Sequence, residues 1–302
     1  MIKTKNLMII YFLIILCLFG FLAYKHSLNS IFFMPKEYKT IKRLVDKIAL
    51  KNYLGDHEIP FSVGTGSYIE YEAEKLGISK KNDSYYFKNL NPYRKHPDFN
   101  KVNLNELSKQ AYLYNSIEAY AWSGIVWLSK SSFRTVGNKT NYLAWFIAHE
   151  LSHIINNDHI EQSIKVSKKI KDFEKRKKGE NYEEDNKKLK IKKDEKIDLF
   201  KKLLSRETEK VADKEGAKMI IKAGFPKDTP LKALIFLTKT SYIDAHTDSK
   251  STHPGYLERY RSLKTFIENY GEEKELKELK QYKWEWIYNR DLNTLTFIPK
   301  KI

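Results

Sequence analysis

His149, Glu150 and His153 stand in one short string, His149-Glu150-Leu151-Ser152-His153, inside the apolar stretch from Thr140 to Asp158. Histidines four apart on a helix lie one turn above each other on the same face. Two imidazoles side by side are what a tetrahedral zinc ion needs, and Glu150 is rotated just enough to reach a water held there. A helix is expected because Leu143, Phe146, Ile147, Leu151, Ile154 and Ile155 recur at helical spacing. Thr140 or Asn141 is the expected cap, and the run Asn156-Asn157-Asp158 marks the end.

Two histidines leave zinc short of one protein ligand. One candidate is Glu209, four residues before Asp213, so that both face the same way on a helix. Ala212, Gly216, Ala217 and Ile220 continue that side, and small residues let one helix approach another closely enough to bring Glu209 to the metal. Asp213 would then accept a hydrogen bond from the free nitrogen of a metal-binding histidine. The helix is expected to stop at Ala223-Gly224-Phe225-Pro226. The other candidate is His159, which extends the string into a metzincin-type pattern with Asn156 in place of the usual glycine. That class also needs a methionine turn, and the downstream Met219 falls inside a helical run.

The elements around these residues follow from the rest of the chain. Pro35 to Leu54 reads as an amphipathic helix with Ile41, Leu44, Val45 and Ile48 on one face, and Ile59 to Val63 as a strand. Leu104 to Tyr114 is expected to be helical. Ser116 to Ser129 reads as one or two strands, with Gly124 permitting a bulge or a close backbone approach. A strand just upstream of a zinc helix offers an edge along which an extended peptide can pair. Thr229 to Tyr242 and Gly255 to Tyr270 read as helices, and Trp284 to Ile298 as a closing hairpin. Residues 160–206 hold 17 Lys and Arg against 10 Asp and Glu, the composition of a charged helical hairpin or a partly disordered excursion inserted between the two halves of the site.

Bulk properties set further bounds. A chain of 302 residues, 41% hydrophobic and 14% aromatic, has enough apolar surface for a packed core. The net charge of +17 would suit nucleic acid or an anionic membrane, but no nucleic-acid-binding motif is present and the excess is spread along the chain. A solvated Lys-rich surface is the expectation, with no nucleic-acid partner. The lone Cys17 excludes an internal disulfide framework and removes thiolates as ligands for the site. Leu7 to Tyr24 is an uncharged run of 18 residues, long enough to span a bilayer as a helix. Residues around Ala23 and Cys17 fit cleavage sites poorly, so an uncleaved single-pass anchor after a basic tail (1–6) is expected, with the catalytic domain on the exported side. Lys25, Lys36, Lys39, Lys42 and Arg43 argue for the cytoplasmic side instead.

From about Ile117 to Leu263 the chain resembles the HtpX and CAAX-prenyl-protease family of gluzincin metallopeptidases, which also holds the periplasmic protease BepA. The string HELSHIINND is similar to the HtpX version of the zinc helix, including Asp158. Glu209-x-x-x-Asp213 matches the third-ligand motif, and Thr252-His253-Pro254 with Arg259 matches a downstream His-Pro and Arg element. The sequence departs from the family at Glu118, where an Asn is usual, and at Ser123-Gly124, where paired glycines are usual. The resemblance implies that His253 and Arg259 sit near the metal and help bind the substrate carbonyl or its oxyanion. In some members that histidine occupies the open position of the zinc.

The expected fold is therefore α+β and mostly helical: a zincin-like metallopeptidase domain over 35–302 with a small β-sheet, preceded by one transmembrane helix at 7–24. The expected function is a membrane-anchored, zinc-dependent metalloendopeptidase acting on protein or peptide substrates, as in envelope protein quality control. One Zn2+ would be held by His149, His153 and Glu209, with Glu150, His253 and Arg259 catalytic and Asp213 behind the ligands. The rival from another class is an inactive, membrane-tethered binding or chaperone module of the same fold.

Overall fold

The computed structural model describes residues 11, 14–20, 34–64, 117–122, 124–177, 186–240, 245–247, 251, 253–271 and 283–300. The expected helix at Leu104–Tyr114 lies outside them, as does most of the apolar run at Leu7–Tyr24. Of that run residues 11 and 14–20 are described, helical and exposed. No helix among the described residues is long and apolar enough to cross a membrane.

Helix α1 spans Lys36–Ala49 and buries Tyr38, Ile41, Leu44, Val45 and Ile48, the face set by its apolar spacing. Strand β1 follows at Ile59–Gly64. The Ser116–Ser129 stretch forms two strands, β2 at Ala119–Trp122 and β3 at Ile125–Ser129, paired antiparallel with Trp122 opposite Ile125. So short a reversal requires a left-handed residue, and Gly124 takes φ 83°. Strands β4 (Lys283–Asn289) and β5 (Thr294–Lys300) complete a sheet of order β2-β3-β1-β5-β4. β1 runs parallel to β3 and antiparallel to β5, so the C-terminal hairpin is built into the body of the sheet rather than laid over it. Its turn is locked from α1. The buried Tyr38 hydroxyl donates to Asn293 at 2.6 Å, and Asn293 in turn donates to the Val63 carbonyl at 2.7 Å.

Below the sheet run α2 (Lys130–Val136) and α3 (Thr140–Ile155), the latter packing on β2, β3 and most of the other helices. Leu143 through Ser152 are all buried, so the middle of α3 is enclosed on every side rather than along one stripe. Neither Thr140 nor Asn141 caps it: the N-cap is Lys139, without a side-chain bond. At the other end Asn157 takes φ 52°, the left-handed conformation that Asn tolerates, and the chain turns directly into α4 (Asp158–Lys177).

Helix α5 spans Asn186–Lys222 without a break. The charged stretch is thus a helical hairpin, α4 against α5, but its returning arm is the same helix that carries Glu209 and Asp213. Helices α6 (Thr229–Thr240) and α7 (Tyr256–Asn269) pack on α5 and on each other.

Candidate metal centre and cleft

Close contact between α3 and α5 builds the centre, and Gly216 permits it. A Cβ at that position would stand 2.9 Å from the backbone nitrogen of His149 and 3.0 Å from its Cα, so only a bare Cα lets the helices meet this closely. Ala212 and Ala217 beside it are fully buried. The contact brings Glu209 and Asp213 up to the two imidazoles of α3.

The Nε2 atoms of His149 and His153 lie 3.3 Å apart. Glu209 places Oε2 3.3 Å from His149 Nε2 and Oε1 3.5 Å from His153 Nε2. A tetrahedral ion with metal–nitrogen bonds of about 2.0–2.1 Å holds its ligands roughly 3.3–3.4 Å from one another, so the three donors outline such an ion. His149, His153 and Glu209 can therefore hold a metal ion, and they are the one group of His, Cys, Asp and Glu among the described residues with ligand atoms so placed. His159 is not in that group. It sits one residue into α4, exposed, with its ring edge-on to Trp122 at 4.6 Å. The metzincin-type alternative is corrected accordingly: Asn157 ends α3 by reversal into α4, which carries His159 away from the other two histidines.

Each histidine has a carboxylate behind it. Asp213 Oδ1 lies 3.1 Å from His149 Nδ1, in contact but not aligned as a hydrogen bond, which leaves that buried nitrogen without a bonded partner. Asp158 Oδ2 lies 2.7 Å from His153 Nδ1. The sequence placed Asp158 at the end of the zinc helix but did not foresee it as the partner of His153. Its signal was the spacing of five from His153 across a helix stop, which only an abrupt reversal turns into a contact. Arg259, on α7, donates from Nε at 2.9 Å and Nη2 at 2.6 Å to the two oxygens of Asp213, a bidentate pair in which both residues are buried. His253 Nε2 lies 3.5 Å from Glu209 Oε1, and its side chain is 63% exposed.

The electrostatics follow from burial set against these contacts. Burial pushes the His149 imidazolium pKa down, but contacts with Asp213 and Glu209 outweigh it and hold the group up at about 10. For His153 burial is likewise outweighed, by Asp158 and Glu209, giving about 9. Burial raises the carboxyl of Glu209, yet the facing histidines bring it well below the usual range. Asp213 is also lowered, with Arg259 overcoming the cost of burial. Glu150 alone among these carboxyls is raised: burial dominates, opposed by His149 and His153. A carboxylate of raised basicity one residue from a metal ligand is a better proton acceptor than an ordinary glutamate.

All of these groups except the deeply buried Asp213 line a cleft of about 990 Å³. Strand β2 forms one wall and is the outermost strand of the sheet among the described residues. It is pinned at its start by Ser132, whose hydroxyl donates to the Glu118 carbonyl at 3.0 Å and accepts from the Glu118 amide at 2.9 Å. Helix α3 is the floor; Gln162 of α4 and Ser205, Thr208 and Glu209 of α5 form the opposite wall, tied by a 2.8 Å bond from Gln162 Nε2 to Thr208 Oγ1.

Two of three comparisons with known proteins were silent, since no curated protein and no solved structure matched. The model of peptidase family M48 matches residues 98–267, more than half of the chain, and takes in both helices of the centre together with His253 and Arg259. M48 peptidases are zinc-dependent, as this donor set leads one to expect. On that match and this geometry the chain belongs to peptidase family M48.

Proposed function

We propose that the protein is a zinc-dependent metalloendopeptidase that hydrolyses peptide bonds in protein substrates. One observation carries the reading: two imidazoles and a carboxylate from separate helices converge at tetrahedral spacing beside a buried glutamate of raised basicity. A zinc ion held by His149, His153 and Glu209 would supply Lewis acidity, polarising the scissile carbonyl and making a water molecule acidic enough to be deprotonated near pH 7. Glu150 takes the proton as that water's oxygen bonds to the carbonyl carbon. It then delivers the proton to the amine as the carbon–nitrogen bond breaks. Asp213 and Asp158 keep the two histidines oriented, and Arg259 holds Asp213 in place with two hydrogen bonds. His253, exposed beside Glu209, is positioned to donate to the carbonyl oxygen as charge builds on it. Strand β2, which lines the cleft, would take an extended peptide by backbone pairing and lead it past Glu150.

The 18-residue apolar run at Leu7–Tyr24 supports a single-pass anchor, with the peptidase domain on the exported side and a role in envelope protein quality control. Glu150→Gln decides the chemistry. Cleavage of an unfolded protein substrate should fall by at least about a hundredfold while bound zinc stays at the wild-type level. Full proteolysis by that variant would remove Glu150 from the reaction.

A further inference from the structure

The cleft does not end at its own rim. His159 and Ile160 line it and also begin a shallow groove that runs outward along α4 as far as Lys171. Ile160, Ile164, Lys168, Lys171 and Lys175 recur at spacings of three and four and so share one face. All five are exposed, Ile160 and Ile164 at 57% each. Trp122, 59% exposed at the tip of β2, meets the His159 ring and joins the apolar end of this face to the edge strand. Exposed isoleucines scattered singly would mean nothing, but two in one line, continuous with an exposed tryptophan and a cleft, form a patch. Beyond them the face is basic. Glu161 and Asp172 flank it, and Glu174 is engaged elsewhere, with Lys193 of α5 at 3.1 Å.

We infer that this face of α4 is a docking shelf for the substrate, taking an acidic flank of a polypeptide whose apolar segment lies in the cleft. The inference rests on the peptidase reading above and adds the substrate class: chains in which an apolar stretch adjoins a run of Asp and Glu. Two features favour a polypeptide over a lipid surface. The groove is an outward extension of the cleft, with shared lining residues, and its apolar part lies at the cleft end with the charges following in line.

The test uses the full chain and synthetic fluorescein-labelled peptides: a short apolar one, and the same segment continued by six acidic residues on its N-terminal or its C-terminal side. Binding is read by fluorescence anisotropy in the zinc-loaded Glu150→Gln variant, so that no peptide is cut. One of the two acidic peptides should bind about tenfold more tightly than the short one, the size of effect a few complementary charges give. Adding Lys168→Glu and Lys171→Glu should erase that advantage and leave zinc content and short-peptide binding within about twofold. Ile164→Ser should weaken every peptide that reaches the shelf without changing zinc content. Equal binding of short and acidic peptides would overturn the shelf, and so would an advantage that survives the charge reversal. If the reversal abolishes retention on phosphatidylglycerol vesicles but leaves peptide binding intact, the face belongs to a membrane and the inference fails. Wild-type protein that keeps the tenfold preference yet cuts none of the three peptides would support the shelf while overturning the peptidase reading.

Discussion

Behind each imidazole of the pair stands a carboxylate, and the two are held differently. Asp213 is clamped by Arg259 from a third helix, whereas Asp158 is placed by the turn that ends α3. Removing a partner that orients a ligand typically weakens metal binding by about 10–100-fold, so Asp158→Asn should do so in competition with a chromophoric chelator. Unchanged affinity would show that Asp158 has no hold on the site. Arg259→Ala strands a buried carboxylate, a loss of about 3–5 kcal/mol that urea unfolding of the zinc-free protein should register. Little change there would mean that Asp213 finds another partner. The histidines also predict a pH dependence. Their pKa values in the metal-free fold, about 10 and 9, lie above the ordinary 6.5. Protonation therefore stabilises the zinc-free fold fully below about pH 6.5, and that contribution disappears as pH rises through 9 and 10. Zinc needs the same nitrogens unprotonated, so its affinity should climb with pH across this window, with protons released as the ion binds. A flat affinity between pH 6 and 8 would contradict this.

The centre depends on how closely α5 can lie against α3, and the limit is set where Gly216 meets the His149 backbone. Gly216→Val should push the helices apart and cost at least about tenfold in zinc affinity, with helical content by circular dichroism nearly unchanged. Wild-type affinity would show that the helices separate without disturbing the ligands. Much of this was legible in the sequence. Histidines four apart, and the small residues following Glu209 and Asp213, are local patterns that helix geometry converts directly into faces. What escaped was the joining of elements. Because residues 160–206 are so rich in charge, they read as an excursion separate from the Glu209 helix. Yet from Asn186 to Glu215 there is no glycine or proline to stop a helix, and α5 runs through. The cap of α3 was misread for a related reason. Thr140 and Asn141 have the right chemistry, but the chain is already helical when it reaches them.

At the scale of the molecule, the sheet draws together strands far apart in sequence, β1 beside β3 and β5 beside β1, and periodicity along one strand carries no information about such partners. Zinc would add a further tie, bridging α3 and α5. Stability should therefore rise with free zinc by mass action, about 2.7 kcal/mol at a hundred times the dissociation constant, and fall on adding a chelator. A melting temperature indifferent to zinc would deny the ion this bridging role. Deleting residues 1–24 should shift the protein from membrane to soluble fractions; a deleted form that still sediments with membranes would place the attachment elsewhere. The account turns on whether the Glu209 carboxylate completes the metal centre, and the most direct test is zinc content by mass spectrometry in the purified wild-type protein and Glu209→Ala. About one zinc ion per chain is expected in the wild type and almost none in the variant after dialysis against weak chelator. A wild type without metal, or a variant that keeps its full complement on His149 and His153, would contradict it.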